Sequence, residues 1–245
     1  MTVTSTESGT NVHEIAEGIF RISTPVPPDA IPGGFTFNQF LIIDDQPLLF
    51  HTGPRRMFPL VQQAVQHLLG DLTRLRYVGF SHVEADECGS LNQWLAAAPR
   101  AEPVCSTIGA LVSVNDLADR PPRALADGEL LSLGGGHQVR WLDAPHLPHN
   151  WECGYLFEAR TRTLLCGDLF THAGADLAPV TDSEVLGPSE AMRRSMGGVA
   201  IEAGSRSILE KLARTEPTTL ALMHGSSFRG DGRAQLLGLA DALGV

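Results

Sequence analysis

Ser81-His82-Val83-Glu84-Ala85-Asp86-Glu87-Cys88-Gly89-Ser90 is the stretch of this chain that carries most information. His82, Glu84 and Asp86 alternate just past a short apolar run, Arg76 to Ser81, that reads as a strand, and Ser90 to Ala98 then reads as a helix. Strand, polar loop and helix in succession is the grammar of a layered α/β fold. Alternation lets a loop leaving a strand aim two or three side chains at one point, and the helix start behind it adds backbone N–H groups that favour carboxylates. Taken alone, the segment is equally well read as a solvated acidic loop.

Upstream, Phe35 to Asp44 and Pro47 to Gly53 predict a hairpin across Asp44-Asp45-Gln46, and Met57 to Leu69 repeats apolar residues at helical spacing. Downstream, Glu102 to Thr107 reads as extended and Ala110 to Ala118 as helical, so this half predicts a parallel or mixed sheet. From Gly128 onward tight turns join strands at Glu129 to Leu133, Gln138 to Asp143, Gly154 to Ala159 and Thr163 to Phe170, which predicts mostly antiparallel pairing. Ser189 to Arg214 predicts a long helical stretch broken at Gly197-Gly198 and Gly204, Thr218 to Met223 a buried strand, and Arg233 to Leu243 a last helix. Two halves, each a sheet with flanking helices, predict a four-layer αββα sandwich with two mixed sheets. No repeat or Pro/Ser linker divides the chain, so residues 1–245 are expected to form one domain after a flexible lead over residues 1–12.

The 245 residues are 43% hydrophobic and 19% charged, which fits a globular chain with a sizeable core and excludes disordered and fibrous classes. Acidic residues outnumber basic ones by 28 to 18, and a net charge of −10 argues against a cationic grip on nucleic acid or an anionic membrane. Met1 to Thr10 lacks the basic and apolar regions of a signal peptide, and no run of ~18 apolar residues occurs, so a cytoplasmic location is expected. Cys88, Cys105, Cys153 and Cys166 are widely spaced and suit a reducing compartment, with Cys105 and Cys166 read as small buried hydrophobes.

Three further apolar runs end on metal-type residues: His146 and His149 in Ala144-Pro145-His146-Leu147-Pro148-His149, Asp168 in Cys166-Gly167-Asp168-Leu169, and His224 in Leu222-Met223-His224-Gly225. Ligands of open α/β sheets gather at strand ends, so these residues are expected to converge. His13, His51, His67 and His137 have no such context and are read as structural. Trp94, Trp141 and Trp151 are read as core or pocket wall, Trp151 shaping access beside His149. Gly134-Gly135-Gly136 is read as a turn.

With these residues in view the chain resembles the metallo-β-lactamase superfamily, and within it the diiron domain of the flavodiiron proteins and the oxygen-binding diiron proteins. The family pattern H-x-E-x-D-H is met by His82, Glu84 and Asp86, its later histidine and aspartate by His149 and Asp168, which have eighteen residues between them, and its last histidine by His224 before Gly225. The similarity extends through Asn38-Gln39-Phe40-Leu41-Ile42-Ile43-Asp44, Gly89-Ser90-Leu91 and Ala98-Pro99. It implies a metallo-β-lactamase-like sandwich, one iron held by His82, Glu84 and His149, a second by Asp86 and His224, and Asp168 bridging them. Where the family has a histidine after Asp86 this chain has Glu87, which is taken as a candidate carboxylate ligand that would lower the reduction potential. His172 matches a family histidine near the site and is expected to support it, and His146 is a candidate proton donor or spare ligand; both are carried as candidate catalytic residues.

Dizinc hydrolases of the same superfamily have a histidine where this chain has Glu84, and carboxylate-rich sites suit iron or manganese and redox chemistry better than zinc. The resemblance therefore implies a non-haem diiron protein that binds O2, or peroxide or NO, and reduces or senses it. It further implies a separate flavoprotein or rubredoxin-like donor, no FMN in this chain, and a homodimer or larger assembly. The alternative is a zinc or manganese hydrolase acting on an ester, thioester or lactam.

Overall fold

The computed structural model describes residues 1–196 and 199–245. Its first sheet runs β1 (Thr2–Val3), β2 (Asn11–Ala16), β3 (Ile19–Val26), β4 (Phe35–Ile42), β5 (Leu48–Phe50), β6 (Tyr77–Gly79), β7 (Glu102–Ser106) and β8 (Arg123–Leu125) in spatial as in chain order. Pairing is antiparallel from β1 to β5 and parallel from β5 to β8. The second sheet holds β9 (Leu130–Ser132), β10 (Gln138–Asp143), β11 (Gly154–Glu158), β12 (Thr163–Leu165), β13 (Val180–Thr181), β14 (Thr219–Ala221) and β15 (Ser227–Arg229) in the order β13-β15-β14-β12-β11-β10-β9. It too is mixed, with β12 parallel to β14 and β10 antiparallel to β11.

The helices are α1 (Phe58–Leu69), α2 (Ala85–Cys88), α3 (Leu91–Ala97), α4 (Thr107–Gly109), α5 (Asn115–Leu117), α6 (Leu186–Met196), α7 (Ser205–Ala213) and α8 (Gly232–Leu243). In α1, Val61, Ala64, Val65 and Leu69 fall on one face at helical spacing and are buried, and Gly70 stops the helix with φ 75°. That face packs with Trp94 and Leu95 of α3 on the outer side of the first sheet, against Leu41, Leu49 and Val78. On the far side, Leu209 and Leu212 of α7 and Leu236 and Leu239 of α8 cover Tyr155, Leu164 and Leu220. Between the sheets lie Phe40 and Phe50 from one and Trp141, Leu156 and Leu165 from the other.

Successive residues thus serve opposite layers: Leu41 faces the helices and Phe40 and Ile42 the second sheet, and Leu164 and Leu165 divide in the same way. Both faces of the central strands are covered, which is why they read as continuous apolar runs. Each buried Leu or Phe contributes roughly 1.5–3 kcal/mol.

The expected layers are present, and two expectations need correction. Residues 1–12 are not a free lead, because Thr2–Val3 pairs with Asn11–Val12 at the sheet edge. The β2–β3 hairpin was not anticipated; it turns at Gly18 (φ 69°), where an added Cβ would lie 2.6 Å from His137 Nε2. The strand expected over Thr163 to Phe170 stops at Leu165 and becomes a loop at Gly167. The expected helix break at Gly197-Gly198 lies outside the described residues, and Gly204 caps the start of α7. Among the described residues no helix is long and apolar enough to cross a membrane.

Candidate metal centre

Strand order and direction bring the predicted residues to one edge of the sandwich. The loop after β6 carries His82 and Glu84 and the first turn of α2 behind it Asp86, the loop after β10 carries His149, and Asp168 and His224 follow β12 and β14. His82 Nε2 and His149 Nε2 lie 3.0 and 2.9 Å from Glu84 Oε2 and 2.9 Å from each other. Asp168 Oδ2 faces this group, 3.6 Å from His82 Nε2 and 3.9 Å from His149 Nε2. Its other oxygen, Oδ1, faces His224 Nε2 at 3.3 Å, and Asp86 Oδ2 lies 3.2 Å from that same nitrogen.

Each loop is held from outside. Asn150 Nδ2 donates to the Val83 carbonyl and Val83 N–H to Glu152 Oε1, tying the His149 loop to the His82 loop. The Leu147 carbonyl accepts from Tyr155 Oη at 2.6 Å and Cys153 Sγ at 3.2 Å. Asn38 Nδ2 donates to the carbonyls of Leu222 and Gly225, each at 2.9 Å, and the buried Arg21 guanidinium donates to the Gly225 carbonyl. Burial lowers the Arg21 pKa to about 9. His224 Nδ1 is taken up by the Thr36 carbonyl at 2.8 Å and His82 Nδ1 by Ser81 Oγ at 2.9 Å, which turns both Nε2 atoms toward the centre.

Three carboxylates converging on one point repel one another, and their nearest positive partners are the imidazoles. Burial opposes charge on Asp168, yet His224, with His82 and His51, holds its carboxyl well below the usual range. Burial likewise opposes the His82 cation, but Glu87, Cys153 and Glu84 push its pKa up to about 12; for His224, Asp168 and Asp86 outweigh burial and raise it to about 10. Asp168 Oδ1 is buried without an aligned donor, although His224 Nε2 is near. The donor atoms of His82, Glu84, His149 and Asp168 lie within 4.8 Å of one another, and this imidazole–carboxylate set suits a divalent metal.

Glu87 does not join this group. Its side chain is fully buried on the other side of His82, with Oε2 2.6 Å from His51 Nε2 and accepting from Ser81 Oγ at 2.8 Å, and Oε1 4.0 Å from His82 Nδ1. The expectation of a carboxylate ligand is therefore corrected: α2 begins after Glu84, and its first turn leaves Asp86 facing His224 while Glu87 faces inward.

His146, with φ 63°, directs no ring contact to the cluster among the described residues and is not part of its cavity wall. His172 is buried beneath the His224 loop, where its Nδ1 faces the Phe170 carbonyl at 2.9 Å and its Nε2 accepts from Ser226 N–H at 3.1 Å. With both nitrogens engaged it braces two loops and is not positioned to exchange protons with a ligand, so the catalytic role expected of it, like that of His146, is corrected. His51, which the sequence reads as structural, also follows an apolar strand, Leu48-Leu49-Phe50-His51, and that is the signal that marks it.

Residues 35–225 match the family described as "ODP family beta lactamase". The chain belongs to that family. A putative diflavin flavoprotein A 3 from Nostoc sp. is 29% identical over 161 residues, covering 64% of this chain and 28% of that protein. The metal-soaked Flv1 flavodiiron core from Synechocystis sp. PCC6803 superposes with a TM-score of 0.78 at 22% identity, covering 96% of this chain and 61% of the other. Rubredoxin oxygen:oxidoreductase from Desulfovibrio gigas gives a TM-score of 0.78 at 20% identity, with 96% and 61% covered. The two solved structures share the fold, and the sequence match spans little more than a quarter of the length of the Nostoc flavoprotein.

Proposed function

We propose that this chain is a non-haem diiron protein that binds O2, or a related small oxidant such as NO, and reduces it with electrons from a separate flavoprotein or rubredoxin-type donor. The division of the two Asp168 oxygens, Oδ2 toward His82, His149 and Glu84 and Oδ1 toward His224 and Asp86, carries this reading. Two donor groups joined by one carboxylate suit a bridged metal pair, and Glu84 in place of a third nitrogen favours iron over zinc.

One iron would be held by His82, Glu84 and His149 and the other by Asp86 and His224, with Asp168 shared. Bound and reduced, such a pair supplies electrons to a diatomic ligand. The chain's own contribution is orientation and charge. Ser81 and Thr36 fix the outer nitrogens of His82 and His224, and Asn38 and Arg21 hold the His224 loop. Three carboxylates balance most of the charge of two divalent cations. Glu84, with its side chain 48% exposed, is the carboxylate of the set that faces solvent.

The deciding experiment is metal content per chain by mass spectrometry, with visible spectra before and after anaerobic reduction and O2 addition. About two irons, and a spectral response to O2 that Asp168→Ala abolishes, is the expected result. Two zincs and no O2 response would transfer the chain to the hydrolases of its fold.

A further inference from the structure

A cavity of about 340 Å³ opens directly on Glu84, Asp86 and Asp168. Roughly 10–15 Å³ suffices for a water-sized molecule, so a diatomic oxidant leaves nearly all of this space unused, whereas sites for organic ligands begin near ~300 Å³. The wall away from the carboxylates is apolar: Phe37, Phe170, Met192, Val199 and Leu239 contribute to it, and Phe35 stacks on His224 with centroids 4.3 Å apart. Phe170 holds a left-handed backbone, φ 63°, a conformation uncommon for a bulky residue and frequent where a site requires it.

Charge narrows the class of ligand. Arg193 is the one arginine or lysine of the described lining, and its Nε and Nη2 donate to Glu190 at 2.8 and 2.7 Å. Glu190 is itself 6% exposed, so the pair carries no net charge, and with Glu84, Asp86 and Asp168 also in the wall the lining is acidic and disfavours an anionic ligand.

We propose that the cavity binds a small, uncharged, apolar organic molecule beside the carboxylate cluster. The proposal deepens the diiron reading by naming a second class of molecule that the site receives, and rests on that reading only for what happens to the molecule once bound. An apolar ligand gains from burying its surface against the Phe170 and Leu239 wall and meets no unpaired charge there. Met192 and Val199 are each partly exposed in the cavity lining, Val199 packing against the edge of the core beneath the second sheet's helices.

Indole is a suitable probe, being uncharged, aromatic and a poor metal ligand. Titration calorimetry of the protein as purified is expected to give one saturable indole site per chain, and naphthalene-1-sulfonate, an anion, is expected to bind at least tenfold more weakly. Met192→Trp and Val199→Trp should each weaken indole at least tenfold, with circular dichroism showing that each variant keeps its fold. No saturable indole binding, affinity unaltered in both folded variants, or preference for the sulfonate would overturn the proposal. Should both variants bind indole normally but lose reduction by a rubredoxin-type donor, the cavity is instead a protein-docking face and the proposal fails. Iron content measured on the same samples separates the two readings: indole binding without iron fails the diiron assignment alone, and two irons without indole binding fails this one alone.

Discussion

His51 Nε2 lies 2.6 Å from Glu87 Oε2, and neither side chain is exposed. The same carboxylate oxygen accepts from Ser81 Oγ, which contacts His82 Nδ1, so His51, Glu87, Ser81 and His82 form one buried chain ending at the imidazole that faces Glu84 and His149. Replacing Glu87 by Leu leaves the Ser81 hydroxyl and His51 buried without their acceptor. A loss of about 3 kcal/mol in denaturant unfolding is expected. In the double variant with His51→Asn the total should fall short of the sum of the single effects, as it does for groups in direct contact.

Because Glu87 faces away from Glu84 and Asp168, Glu87→Gln should keep its complement of metal. Glu84→Ala and Asp168→Ala should each lose metal, the latter from both halves of the cluster. Mass spectrometry of the purified variants measures this, and loss of metal in Glu87→Gln equal to that in Asp168→Ala would return Glu87 to the ligand set.

Gly225 has φ 96°, and an added Cβ would lie 2.3 Å from the His172 ring. Gly225→Ala therefore combines an unfavourable backbone with a clash against a buried side chain whose two nitrogens hold neighbouring loops. A loss of about 3 kcal/mol is expected. Thermal unfolding checks the loss, and an unchanged Tm would show that the His172 ring has room to move.

Burial lowers the His172 pKa, with the Arg21 and His224 charges acting in the same direction and the Phe170 carbonyl opposing them. In the folded chain the ring resists protonation, while in the unfolded chain it takes a proton near its ordinary value of about 6.5. The unfolded state therefore binds more protons below that pH, and stability falls as pH drops from about 6.5 toward the folded-state pKa. Urea unfolding between pH 7.5 and 5 should show this decline, and His172→Gln should flatten it. A variant as acid-sensitive as wild type would assign the decline to other groups.

The layers of the fold were legible because burial on both faces imposes continuous apolar runs on strands such as Leu48–Phe50 and a 3.6-residue period on α1. The β2–β3 hairpin escaped because its burial alternates with polar residues such as His13 and Glu14, and its turn is marked mainly by Gly18. Six of the seven residues read as ligands come together, and each of the six was flagged by an apolar strand ending in histidine or aspartate or by the alternating loop that follows one.

Residue type and spacing settled which side chains leave the strand ends, since a strand fixes the point at which its chain emerges from the sheet. They did not settle where a loop side chain then points. His146 and His149 are three residues apart in a short loop, and the backbone turn at His146 together with the Asn150 and Val83 contacts leaves His149 on the cluster. Asp86 and Glu87 are adjacent carboxylates with opposite fates, because only the folded chain brings His51, thirty-six residues upstream, behind Glu87. The cavity is likewise tertiary, since its walls come from β4, the Asp168 loop, α6 and α8, segments that meet only when both sheets and their helices are in place.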